Sequence, residues 1–225
     1  MMDFYELFGF AMGDGQIFYN HKYRKYRLEL VGNVEGDYDY FEQLKSFLEK
    51  VSSKKPQLFI YKNKRGKILK LMIYDKAFVD KLIETGLPAG KKTFIVKIPN
   101  GINAEQQTAI LRGLLEVDGC LYFSKSKKCK YPTYPRLGIK TSSLVLFTQL
   151  KVILKDRGFS PYIRNPSTDR TFAVEISGEE ALKKWIREIG FSGLKNRTKY
   201  LFWKAKGFYM PRTPLKKRLK YAHVA

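Results

Sequence analysis

The chain has 225 residues, 44% hydrophobic and 15% aromatic, which suits one domain or two of about 100 residues each and excludes a disordered polymer. Forty-three Lys and Arg against 21 Asp and Glu leave a formal charge of +22, a self-repelling balance that asks for a polyanionic partner, nucleic acid before a membrane surface. Two cysteines, Cys120 and Cys129, exclude a disulfide framework and lack zinc-site spacing, and His21 and His223 are too few for chemistry built on histidine clusters.

In chain order, Asp3-Phe4-Tyr5-Glu6 reads as a capping box opening a helix over Leu7-Phe8-Gly9-Phe10-Ala11-Met12-Gly13, which stops at Asp14-Gly15. Residues 16–31 read as two strands joined by the basic segment His21-Lys22-Tyr23-Arg24-Lys25. Alternation turns Ile17, Tyr19, Leu28 and Leu30 inward and leaves Gln16, Asn20, Lys22, Arg27 and Glu29 on a wide polar face. Residues 32–36 read as a loop and 38–51 as a helix. Strands follow at 58–62 and 68–74, split by Asn63-Lys64-Arg65-Gly66, and a third helix spans 75–85.

Residues 98–103 read as a linker, and the order then repeats. Asn103 and Gln106 form a second capping box, and Ala109, Leu111, Leu114 and Leu115 make an apolar helix face around Gly113, where a neighbour must approach closely. Gly119 is expected to end this helix by taking positive φ, leaving Asp118 at a C-terminus whose dipole asks for a cation. Strands near 121–124 and 136–140 lead to F-T-Q-L-K-V-I-L at 147–154, which matches F-E-Q-L-K-S-F-L at 41–48 in five of eight positions. Strands at 162–164 and 171–177 and a helix at 180–189 complete the copy. The fold class is therefore α+β, with two α-β-β-α-β-β-α units, residues 1–97 and 104–225, whose antiparallel sheets form a saddle. After Glu188 the chain holds ten cations and no acid, with aromatic residues that favour a last helix docked on the second unit with its cations along phosphates; Lys195 and Arg197 lie at its start.

Two such units related by a pseudo-two-fold axis would set their opening helices side by side through Gly9, Gly13 and Gly113 and bring Asp14 and Asp118 together. Paired carboxylates raise one pKa unless a divalent cation lies between them, and Mg²⁺, with Mn²⁺ or Ca²⁺ able to replace it, suits such hard oxygens. A site of this kind supports in-line phosphodiester displacement. The polar strand faces would then hold duplex DNA. Candidate contacts are Gln16, Asn20, Lys22, Arg24, Arg27, Glu29, Lys62 and Lys70 in the first unit. In the second they are Ser124, Ser126, Lys128, Arg136 and Arg164, with Lys195 and Arg197 beyond.

The stretches Leu7-Phe8-Gly9-Phe10-Ala11-Met12-Gly13-Asp14-Gly15 and Leu111-Arg112-Gly113-Leu114-Leu115-Glu116-Val117-Asp118-Gly119 resemble the two signature motifs of LAGLIDADG homing endonucleases, in the single-chain, two-motif form known from archaeal introns. The resemblance covers the whole chain. It implies a monomeric, Mg²⁺-dependent endonuclease that cuts both strands of a long, imperfectly palindromic DNA site and leaves short 3′ overhangs. It makes Asp14 and Asp118 the metal ligands and counts Gly13 and Val117 with them as metal-site residues. A lysine or glutamine near the end of the second strand of each unit organises water in the family; Lys140 and Asn33 are the candidates here. An intron RNA maturase, with host intron RNA as partner, or a non-cleaving binder of the same fold is the alternative. No run of about 18 apolar residues and no leader segment stands in the sequence, so no membrane association and a cytoplasmic location are expected.

Overall fold

The computed structural model describes residues 2–63, 66–125, 129–164 and 170–221. The first half runs α1 (Phe4–Asp14), β1 (Gly15–Asn20), β2 (Lys25–Asn33), α2 (Val34–Val51), β3 (Gln57–Asn63), β4 (Gly66–Ile73) and α3 (Lys76–Thr85). The second repeats the order as α4 (Ala104–Asp118), β5 (Gly119–Ser124), β6 (Tyr134–Thr141), α5 (Leu144–Asp156), β7 (Tyr162–Arg164), β8 (Phe172–Ser177) and α6 (Glu179–Glu188), then adds α7 (Leu194–Lys206) and α8 (Leu215–Leu219). The described residues form two four-stranded antiparallel sheets, ordered β1-β2-β4-β3 and β5-β6-β8-β7. The duplication thus extends from element order to strand order.

Each unit buries one face of its sheet under helices. Leu28, Leu30, Leu69, Leu71 and Ile73 do so in the first unit, and Leu121, Leu137, Ile139, Val174 and Ile176 in the second, in one core continuous across both. Each such side chain contributes about 1.5–3 kcal/mol when fully covered. The centre of that core is the contact of α1 with α4. A Cβ on Gly9 would run into the Ile110 carbonyl, and one on Gly113 into the Glu6 carbonyl, so the two backbones touch where side chains would hold them apart.

Several local expectations are corrected. Gly15 and Gly119 end their helices at φ −95° and −107°, extended rather than left-handed. Glycine is required there for space, because a Cβ would meet the Cα of Ala11 or of Leu115 at 2.6 and 2.7 Å. Residues 32–36 are not a loop. β2 continues to Asn33, whose side chain accepts from the Glu35 N–H while its own N–H donates to Asp37, and α2 starts directly at Val34. The second capping box is complete at Asn103 and Gln106. The first is half made: Asp3 accepts from the Glu6 N–H, but the Glu6 side chain is drawn into the helix interface.

The end of the chain docks on both units rather than on the second alone. Gln43 of α2 donates to the Ser192 carbonyl, and Lys195 of α7 pairs with Asp37 of α2. Along the edge strand β5, Asn196 accepts from the Leu121 N–H and Lys199 donates to the Leu121 carbonyl, satisfying an edge that would otherwise stay open. In the first unit the Gly90 N–H serves the Ile17 carbonyl of β1 in the same way.

Candidate active site

The site begins where α1 and α4 end. Leu7, Phe8 and Ala11 of α1 and Leu111, Leu114 and Leu115 of α4 are buried, which fixes both helices and leaves their last residues at a common edge. Gly13 faces Val117 and Asp118. A Cβ on Gly13 would lie 2.6 Å from Asp118 Oδ2 and from Val117 Cγ1, so the mismatch between the motifs at this position is complementary, glycine receiving valine. Asp14 and Asp118 therefore meet, as the duplication predicts.

Their titration reflects that crowding. Asp118 is raised to about 6, first by burial and then by Asp14, with Lys92 and Lys195 pulling it down. Asp14 is raised too, by loss of water first and by Asp37 after, against Lys92 and Lys195. By surface area Asp14 is exposed, so it stands at the mouth of the site, where protein displaces bulk water without covering the group.

Neither helix carries a basic residue in its last turn. The cations the dipoles ask for arrive from elsewhere. Lys92, in the segment after α3, is buried, and its Nζ donates to the Met12 carbonyl at 2.9 Å and to the Gly13 carbonyl. Burial lowers its pKa, and Asp118 and Asp14 oppose that shift. Lys195, after α6, donates to the Glu116 carbonyl at 2.9 Å and pairs with Asp37 Oδ1 at 3.1 Å. The two lysines occupy matching places in the two units. Lys92 carried no signal in the sequence, where it is one of two adjacent lysines in an unpatterned segment. Lys195, expected on DNA, points to the helix end instead.

The buried flanks of the helix pair are also polar. Glu6 accepts from Arg112 Nε at 2.9 Å and from the Tyr40 hydroxyl at 3.1 Å, and Arg112 also donates to the Ile189 carbonyl. Glu116, 3% exposed, accepts from the N–H groups of Ser192 and Gly193 and so holds the segment that leads into α7, whose own N-cap supplies no side chain. Burial raises it to about 7 despite those bonds.

The remaining candidates divide. Lys140 is exposed on β6 and lines one cleft with Asp118, Tyr122, Arg164 and Glu175. Asn33 has its side chain committed to capping α2. Gln16, Asn20, Arg27, Glu29 and Lys70 share the open face of the first sheet, with Lys22 and Arg24 in the adjoining turn, whereas alternation puts Lys62 on the opposite face with Leu58. Glu29 is buried between Arg27 and Lys70. Ser124, Arg136 and Arg164 share the open face of the second sheet, and Arg197 is exposed on α7. Ser126 and Lys128 lie outside the described residues.

The donor set fits a hard divalent cation. Two converging carboxylates supply charge, and no cluster of three or more His, Cys, Asp or Glu with metal-site placement exists among the described residues. Main-chain, water and phosphate oxygens would complete the shell, the arrangement Mg²⁺ favours. The Gly13 carbonyl already accepts from Lys92.

No protein-family model matches the chain, and no curated protein matches it. Solved structures do. A variant of I-DmoI in complex with its target DNA and manganese aligns over 83% of this chain and 92% of that one, at a TM-score of 0.58 and 17% identity. I-DmoI complexes containing magnesium or calcium match as well. The homing endonuclease I-WcaI bound to its DNA recognition sequence aligns over 83% and 80%, at 0.57 and 16%. The meganuclease I-SmaMI bound to uncleaveable DNA aligns over 90% and 89%, at 0.57 and 15%.

Proposed function

We propose that this chain, which has the LAGLIDADG homing-endonuclease fold, is a monomeric, site-specific endonuclease that cuts both strands of duplex DNA with a divalent cation, Mg²⁺ first. The carrying observation is the meeting of Asp14 and Asp118 at the ends of two helices whose backbones touch, in a chain of charge +22. The open sheet faces begin at this point and supply the DNA platform. The target is long and imperfectly palindromic, because two similar but unequal sheets meet its two halves, and cutting leaves short 3′ overhangs.

Asp14 and Asp118 hold the cation. When bound, it supplies Lewis-acid stabilisation of the attacking and leaving oxygens of an in-line displacement. Lys92 and Lys195 offset the helix dipoles and favour the ionised acids. Lys140 holds a water against the scissile phosphate, a role supported by the cleft it lines with Asp118. As the new P–O bond forms and the bond to the 3′ oxygen breaks, the attacking water gives a proton to solvent and the released 3′ oxygen takes one from it.

The test is cleavage of a selected target duplex in Mg²⁺ by the native chain, Asp14→Asn and Asp118→Asn. Loss of several kcal/mol of charge stabilisation predicts a fall of roughly 10³-fold or more for each variant. Undiminished cutting by either variant would remove that acid from the site, and tight binding with no cutting by the native chain would make it a non-cleaving binder.

A further inference from the structure

Each open sheet face carries one buried carboxylate, and each carboxylate holds an arginine at the same register position. Arg27 lies opposite Phe18 on β1 and Arg136 opposite Tyr122 on β5, and Phe18 and Tyr122 are each the fourth residue after the acid of their unit, Asp14 or Asp118. Glu29, 8% exposed, pairs with Arg27 Nη2 at 3.2 Å and with Lys70 at 2.7 Å. Glu175, 5% exposed, pairs with Arg136 Nη1 at 2.6 Å, accepts a hydrogen bond from the Tyr122 hydroxyl, and has Arg164 at 3.7 Å.

The two carboxylates are not a copied residue. Glu29 stands on β2 opposite Met72 of β4, whereas Glu175 stands on β8 opposite Gly138 of β6. The same rung of each sheet is acidic, reached from different strands. The aromatic support differs in source as well: Arg27 stacks over Phe18 with Cζ 4.1 Å from the ring centroid, and Arg136 lies 5.6 Å over Tyr134 and donates from Nε to Ser124.

An acid on a DNA-facing surface repels phosphates unless cations enclose it. Enclosed here, it fixes the rotamer of an arginine whose side chain stays about one-quarter to one-third exposed, 27% for Arg27 and 34% for Arg136. A planar guanidinium held this way matches the O6 and N7 acceptors that guanine alone presents together in the major groove. We infer that Arg27 and Arg136, each braced by its buried glutamate, read a guanine at matching positions of the two half-sites, so that the target carries a G·C pair at equal distances on either side of the cut centre. The inference rests on the DNA reading above.

The experiment is selection of bound duplexes from a random library by the full chain in Ca²⁺, repeated with Arg27→Gln, Arg136→Gln, Arg27→Lys, Glu29→Gln and Glu175→Gln, each first shown to melt cooperatively. The native chain is expected to enrich G·C at two equidistant positions. Each arginine-to-glutamine variant should lose the preference at its own position alone, by roughly 5- to 150-fold, and Arg27→Lys, whose ammonium can still donate to guanine but without the planar fork that Glu29 holds, should weaken it by less. Each glutamine-for-glutamate variant should blur the same position as its arginine without changing the salt slope. A uniform loss across sequences with a shallower salt slope would make these phosphate contacts and overturn the inference. So would an unaltered preference in the arginine variants, or enriched G·C pairs at unequal distances. Failure to enrich any duplex would overturn the DNA reading along with it, which separates the two.

Discussion

At Asp118 the protein keeps a carboxylate that its surroundings oppose. Burial, and then Asp14, raise its pKa from the ordinary value of 3.8 to about 6, so the folded state holds the proton more tightly. Its ionised form therefore costs stability: nothing below about pH 4, more as pH rises toward 6, and a constant amount above, on the order of 3 kcal/mol. Asp118→Asn is expected to raise the stability of the metal-free protein by that order at pH 7.5 and by little at pH 4, measured by urea unfolding. Mg²⁺ or Ca²⁺ should raise the native melting temperature more at pH 7.5 than at pH 5, and Asp118→Asn should abolish that gain. Lys92 acts on the same balance from the opposite side. Lys92→Met removes a charge that lowers both acids, so the acidic limb of the cleavage profile should move to higher pH, and a limb that stays in place would release Lys92 from this role.

At the scale of elements, α1 and α4 act as one unit because Gly9 and Gly113 place backbone on backbone. Gly113→Ala has no side chain in its way that could yield, since the obstruction is the Glu6 carbonyl. It is expected to destabilise by about 1–3 kcal/mol and, by shifting the acids, to lower cleavage on the order of 10²-fold, read by thermal melting beside a cleavage assay. Glu116 ties a third helix to the pair. Glu116→Ala strands the Ser192 and Gly193 N–H groups and should cost about 1–3 kcal/mol, whereas Glu116→Gln keeps an acceptor and removes the charge raised to about 7. The glutamine variant should lose Glu116's share of the native protein's decline in stability between about pH 4.5 and 7, the share from Asp118 below about pH 6 remaining, measured by unfolding across that window.

For the whole molecule, in the proposed DNA complex, the excess of positive charge would set the strength of association and the sheet faces its register. A duplex lying along both sheets would meet cations from each unit and from α7. If these neutralise six to ten phosphates, affinity should fall roughly 10³- to 10⁵-fold between 50 and 200 mM salt, measured by titration of a labelled target. A slope equivalent to one or two phosphates would mean that a single unit makes the contact.

The sequence by itself determined the duplicated α+β order, the capped helix starts, the glycines at the helix crossing, and Asp14 and Asp118 as a pair. Each of these is written in local spacing, and the repeat displays every local signal twice. Tertiary structure alone decided what surrounds the pair. Lys92 reaches the carbonyls of Met12 and Gly13 from about 80 residues away in sequence, and Lys195 reaches Glu116 over a similar separation. Glu6 left its capping box for Arg112, and Glu116 became the acceptor for the segment that leads into a helix in another part of the chain. Such partners are chosen by packing rather than by spacing. A buried carboxylate or ammonium must be met by whichever complementary group the fold brings within about 3 Å, and nothing in local periodicity records which group that will be.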